Sequence, residues 1–131
     1  MKDFIEKGSR EIKQEDVEKV IKQEHEIKQK IARVDKKIYE ELREDVFLLF
    51  SLLRDYWSGN YKVVPWRTIA LAAFAFLYLL NPLDLLPDLL LPTGLFDDVA
   101  VFLFVLASVR GDLEKYKTWK ASIDGQKDTL T

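Results

Sequence analysis

The feature that most constrains this chain is a long apolar segment without basic residues. No lysine or arginine occurs between Arg67 and Arg110, whereas residues 1–60 are dense in both acidic and basic side chains. The content of 48% hydrophobic and 32% charged residues over 131 positions would suit one globular domain, but the average conceals this division. The sequence therefore predicts one charged region followed by one apolar region.

A turn-rich stretch, residues 81–98, divides the apolar region. It holds three of the four prolines and four aspartates, together with Gly94. Because proline and glycine interrupt helices, the apolar runs on either side, Thr68–Leu80 and Val99–Val109, are predicted to be two helices. Together they form an apolar α-hairpin with a Pro/Asp-rich turn.

The charged region has helical periodicity from residue 15 to residue 57. Apolar side chains recur there at steps of three and four, and Glu, Lys and Gln fill the other faces. An unbroken helix of this length would extend roughly 65 Å at 1.5 Å per residue. We therefore expect a break near Val34–Lys37, with Asp35 as the N-cap of the second helix.

The predicted fold class is all-α: a long amphipathic N-terminal helix or helix pair followed by the apolar α-hairpin. Within the charged region, residues 1–13 are polar and are predicted to fray, and Gly59 or Asn60 is predicted to take the left-handed conformation that ends a helix. The predicted division of the chain is a charged amphipathic region at 1–60, an apolar hairpin at 61–120 and a flexible tail at 121–131.

Composition excludes several kinds of function. The formal net charge of −2 gives no reason to expect nucleic-acid binding. The absence of cysteine removes disulfides, thiolate zinc sites and cysteine nucleophiles. The charged N-terminal sequence lacks the apolar core of a cleaved secretory signal, so a cytoplasmic N-terminus is expected.

Four aspartates in the turn-rich stretch are the candidate site residues: Asp84, Asp88, Asp97 and Asp98. An all-oxygen cluster of carboxylates would suit Mg²⁺, Ca²⁺ or Mn²⁺ rather than Zn²⁺. The interpretation that we favour is structural, with each carboxylate bonding local backbone amides as an N-cap or in an Asx-turn. In particular, Asp97 is predicted to cap the second apolar helix, with Asp98 in its first turn.

No other set of residues in the sequence indicates catalysis. The single histidine, His25, lies among charged residues and is predicted to be on the surface. The glycines are scattered, so no phosphate-binding loop is present, and no zinc or nucleotide signature occurs. The three tryptophans are interpreted as core or interface packing. We therefore expect a protein that is not an enzyme and needs no cofactor, with a Mg²⁺ or Ca²⁺ site as the alternative.

The apolar hairpin suits two environments, a membrane or a protein core. Basic residues flank it on both sides, which by the positive-inside rule would place both ends in the cytoplasm. Tyr61 and Trp66 at its start, and Tyr116 and Trp119 at its end, occupy the positions of an aromatic belt. However, both uncharged runs are shorter than the about 20 residues that a spanning helix needs. A re-entrant or interfacial hairpin and a soluble core both remain open.

Three short motifs resemble the YkvA-like domain family, a small domain of unknown function. They are V-P-W-R at 64–67, N-P-L-D-L-L-P-D at 81–88 and G-L-F-D-D at 94–98, where Asn81 replaces the family's usual serine. The resemblance covers roughly residues 64–110. It implies membrane association, draws attention to the four aspartates, and brings no agreed biochemical activity with it.

These observations lead to two hypotheses. The first is a non-enzymatic, membrane-associated helical protein whose hairpin inserts into or lies on the bilayer, with residues 15–57 projecting as a cytoplasmic stalk. That stalk would bind a protein partner or a second copy of the chain, making this a protein-interaction or scaffold module. The second is a cytoplasmic, soluble, self-associating helical bundle with a divalent-cation site at the aspartates.

Overall fold

A computed structural model of the chain describes residues 2–34, 36–80 and 98–130. The helices of these ranges are α1 (Lys2–Arg10), α2 (Gln14–Lys22), α3 (Glu24–Val34), α4 (Lys36–Ser58), α5 (Trp66–Leu80) and α6 (Asp98–Leu130). No strand occurs within the described ranges, and the predicted all-α fold is confirmed.

Helix α5 lies at the centre of the molecule. Every residue from Thr68 to Leu79 is buried, and α5 contacts α1, α2, α3, α4 and α6. Because α5 is apolar on all its faces, it needs neighbours on more than one side. Contacts of Thr68 with Asp112 and of Phe76 with Phe102 show that α5 and α6 run antiparallel. Residues 81–97, which connect them, lie outside the described residues.

Helix α1 corrects the prediction that residues 1–13 fray. Phe4 and Ile5 are buried, and the Phe4 ring packs edge-on against the rings of Phe74 and Tyr78, with centroids 5.9 and 5.7 Å apart. Gly8 is buried on the same face, where its lack of a side chain allows α1 to approach α5 closely. A few apolar residues on one helical face are thus sufficient to dock a segment that is polar on average.

Helices α2, α3 and α4 also pack onto α5, so the projecting stalk is wrong for the described residues. Val17, Val20 and Ile27 are fully buried in the same core cluster as Phe50 and the α5 side chains. The two amphipathic regions of the sequence therefore share one core. The reason is that the stripe of apolar residues on each helix lowers the free energy most when it covers the apolar surface of α5.

The predicted break near Val34–Lys37 is confirmed, because α3 ends at Val34 and α4 begins at Lys36. The two helices fold back on each other, and an ion pair joins Glu24 to Arg54. On one unbroken helix these residues would lie roughly 45 Å apart at 1.5 Å per residue. Asp35, the predicted N-cap, lies outside the described residues. A second interruption at Gln23, between α2 and α3, was not predicted.

The charged side chains between α3 and α4 are only partly exposed to water. Lys28 Nζ donates to Glu24 Oε2 at 2.5 Å and lies 5.4 Å from the ring centroids of Phe47 and Phe50. Burial alone would raise the pKa of Glu24, but hydrogen bonds from Lys28 and Arg54 outweigh burial and lower that pKa below its usual value. The carboxylate is therefore held ionised between the two helices.

The C-terminal ends of α4 and α6 test two further sequence predictions. Helix α4 ends at Ser58, and Gly59 has φ of 88°, so the predicted left-handed termination is confirmed at Gly59. Helix α6 continues to Leu130 and thus includes most of the predicted tail at 121–131. The side chains of residues 124–130 are outside the described set, and the flexibility of the tail stays a prediction.

Candidate functional site

The four aspartates predicted as a cation site or as caps lie mostly outside the described residues. Asp84, Asp88 and Asp97 are not among them, and of Asp98 only the backbone, at the first position of α6, is described. Both interpretations therefore stay predictions. Elsewhere in the described ranges, no group of three or more His, Asp or Glu side chains is placed to hold a metal ion. His25 is exposed, as predicted.

A polar network that the sequence did not reveal joins α4 to α6. Tyr116 is fully buried, and its hydroxyl donates to Asp55. Ser51, which is also buried, donates in turn to the Tyr116 hydroxyl at 2.5 Å, and Lys120 Nζ donates to Ser51 Oγ at 2.9 Å. The four side chains form one chain of hydrogen bonds from an ammonium to a carboxylate.

The chemistry of this network is structural rather than reactive. Burial, followed by the hydrogen bond to Asp55, raises the pKa of Tyr116 well above its ordinary value, so the phenol stays neutral. Ser51 is 2% exposed, so its hydroxyl cannot contact a substrate from solution. Ser51 and Asp55 are four residues apart on one helix, as are Tyr116 and Lys120 on the other. This spacing of polar residues within apolar stripes is the only sequence signal of the network.

We expect Tyr116→Phe to lower the free energy of unfolding by about 1–2 kcal/mol, because it leaves the buried Ser51 hydroxyl and the Asp55 carboxylate short of a partner. Chemical denaturation of the variant measures this loss. A double-mutant cycle with Ser51→Ala isolates the pair. Strictly additive losses in that cycle would mean that the Ser51–Tyr116 hydrogen bond does not form.

The aromatic-belt prediction is wrong for Tyr61 and Tyr116, which are both buried. Tyr61 is buried, with its ring centroid 5.1 Å from that of Tyr116 and 4.8 Å from that of Trp119. The antiparallel packing of α5 and α6 brings the connection before α5 beside the middle of α6. The aromatic rings fill the space between them. Tyr61 and Tyr116 therefore face the interior, whereas Trp119 is half-buried beside them and Trp66 is 37% exposed.

The connection between α4 and α5 carries the most concentrated exposed apolar surface of the described residues. Trp57 is 43% exposed, Val63 83% and Trp66 37%. Lys62 and Arg67 accompany them on the surface. We call these five residues the aromatic tip. The sequence analysis interpreted its tryptophans as packing residues, and in the membrane interpretation it also placed Trp66 in an aromatic belt.

The backbone of the connection explains why Lys62 and Val63 of the tip are exposed. The Tyr61 amide donates to the Asp55 carbonyl at 3.1 Å, and the side chains of Tyr61 and Val64 are both buried. The two residues between them, Lys62 and Val63, are therefore turned outward. Pro65 then immediately precedes α5, and its carbonyl accepts a hydrogen bond from the Thr68 amide at 3.1 Å.

The charge of the tip is positive. From residue 57 to residue 67 the only ionised side chains are Lys62 and Arg67. Arg67 lies 3.7 Å from Glu6, but its side chain is 70% exposed, and such a surface pair contributes little. The tip thus combines two tryptophan rings with two exposed basic side chains.

Part of the chain is similar in sequence to known proteins. Residues 68–104 match a family described as a protein of unknown function, DUF1232. Over 77 residues the chain is 32% identical to a protein named "Uncharacterized membrane protein YkvA" from Bacillus subtilis (strain 168), which covers 59% of this chain and 73% of that relative. No solved structure matches. Among the described residues, no helix has the length and apolar character that crossing a membrane requires.

Proposed function

This chain belongs to the YkvA-like family of proteins of unknown function (DUF1232), and on that premise we propose a non-enzymatic, membrane-associated helical module. It binds at the cytoplasmic face of the membrane and holds a protein partner or a second copy of the chain there. The name of the Bacillus subtilis relative, a membrane protein, supports the location. It specifies no activity.

The observation that carries this proposal is the enclosure of α5. Its apolar side chains from Thr68 to Leu79 are buried against other helices of the same chain. Withdrawing them into a bilayer would expose the apolar faces of α1, α2 and α3 to water, at a cost of about 25 cal/mol per Å². Among the described residues, membrane contact therefore falls to the outer surface, and association is peripheral.

Catalysis forms no part of the proposal. The buried titratable groups of the α4–α6 network are bonded to one another, and the Glu24 carboxylate is bonded to Lys28 and Arg54. Outside the aromatic tip, Phe47 and Leu103 are 50% and 44% exposed, which leaves apolar surface for a protein partner on α4 and α6.

Fractionation of cells that express the chain tests this function. We expect the protein to sediment with membranes and to be released by high salt or alkaline carbonate, because peripheral attachment depends on charge and shallow burial. External protease added to spheroplasts should leave it intact if it lies on the cytoplasmic face. Recovery only in the supernatant would contradict membrane association, and resistance to carbonate would contradict the peripheral mode.

A further inference from the structure

We infer that the aromatic tip is the surface that contacts the membrane and that its ligand is anionic phospholipid. This inference rests on the proposed function, since it names the surface and the lipid class through which the protein associates. It concerns only Trp57, Lys62, Val63, Trp66 and Arg67, all of which are exposed.

The apolar content of the tip is unusual for a surface connection. Isolated exposed apolar side chains are common on soluble proteins, but clustered ones mark a contact surface. Trp57, Val63 and Trp66 fall within ten residues of one another, whereas Phe47 and Leu103 stand singly on two different helices. Tryptophan is enriched at membrane–water interfaces because its ring is apolar and its indole N–H remains hydrogen-bonded.

The tip residues come from two helix ends that lie side by side and from the connection between them. The Tyr56 ring is 6.2 Å from the Trp66 ring, which brings the last turn of α4 beside the first turn of α5. Trp57 and Lys62 line a single shallow depression with Tyr56 and Val64. A flat lipid surface could therefore meet the tryptophans and the lysine at the same time.

Charge selects an anionic lipid rather than a neutral one. Lys62 and Arg67 can lay their aliphatic stems beside the apolar residues and extend their charged ends to phosphate groups. Asp55 accepts from Tyr116, and the surface pair of Glu6 with Arg67 is exposed on the arginine side and contributes little. Each basic residue near an anionic surface contributes about fivefold in binding.

Vesicle flotation of the full 131-residue chain tests the inference, with vesicles of phosphatidylcholine alone and of phosphatidylcholine mixed with phosphatidylserine. We expect the chain to float with the mixed vesicles. Trp57→Ala/Trp66→Ala and Lys62→Glu/Arg67→Glu should each weaken this binding by at least about tenfold, because the first removes interfacial apolar area and the second repels the lipid. The matched control, Phe47→Ala/Leu103→Ala, removes two exposed apolar side chains elsewhere and should change binding by less than about twofold.

Thermal melting by circular dichroism shows whether each variant is folded. Val63→Asp is the second probe in case the tryptophan variant unfolds, because Val63 is 83% exposed and packs in no core. If the wild-type chain floats and the tip variants float equally well, the inference is overturned and the proposed function stands. If the wild-type chain floats with neither vesicle, both are overturned. If the tryptophan variant loses self-association but keeps lipid binding, the tip binds a second copy and the inference is again overturned.

Discussion

Replacing Phe76 with alanine is expected to lower the free energy of unfolding by about 3–5 kcal/mol. Phe76 is completely buried on α5, its ring is stacked on Phe50 of α4 at a centroid distance of 4.1 Å, and it lies 5.7 Å from Phe102 of α6. Truncation removes the ring and leaves a cavity where three helices meet. Because protein interiors are closely packed, the neighbours can close that cavity only in part.

Urea denaturation followed by far-UV circular dichroism measures this loss. Phe47→Ala is the matched control, since it makes the same change on α4 at a position that is 50% exposed, and it should cost less than about 1 kcal/mol. The free energy of unfolding of a small domain is about 5–15 kcal/mol in total, so Phe76→Ala leaves a protein that is only marginally stable. Equal losses for the two variants would contradict the packing of α4, α5 and α6 around Phe76.

The elements that the sequence predicted well are those whose signal is local. Helix α5 is apolar throughout and is preceded by Pro65, and its observed bounds, Trp66–Leu80, agree closely with the predicted ones. Gly59 ends α4 because a left-handed residue is needed there, and a short polar sequence reveals that need. The break between α3 and α4 followed from length alone, since one helix would exceed the size of a small domain.

What the sequence did not predict depends on contacts between distant residues. Helix α1 is stabilised by packing on α5, and its own composition indicates only a polar segment. The pairing of Ser51 with Tyr116 joins residues 65 positions apart, so neither residue alone indicates the network. The exposure of Val63 likewise follows from the burial of its neighbours Tyr61 and Val64, of which Tyr61 packs against α6. Of the candidate site, the sequence singled out the aspartates, which stay a prediction, and it placed Trp66 in an aromatic belt without indicating the exposure of Trp57 and Val63.

The substitution Gly8→Ala is expected to lower the free energy of unfolding by about 2 kcal/mol, although alanine is the better helix former. A Cβ atom at Gly8 would lie 2.6 Å from Cζ and 2.8 Å from Cδ2 of Phe74, and closer still to Cε2. The Phe74 ring is fully buried and contacts the rings of Phe4 and Tyr78, so it cannot turn out into solvent. Helix α1 must therefore move away from α5, and overpacking costs more than the gain in helix propensity.

Gly111→Ala is the control that isolates this contact. Gly111 is on α6, is exposed, and a Cβ atom there would meet nothing within 4 Å, so the same substitution should raise the free energy of unfolding by about 0.5–1 kcal/mol. Chemical denaturation of both variants under the same conditions measures the two changes in the free energy of unfolding. We expect the same Gly→Ala substitution to lower it at Gly8 and to raise it at Gly111. If Gly8→Ala instead stabilises the protein as Gly111→Ala does, α1 is not packed on Phe74. Residues 1–13 would then fray, as their composition alone predicts.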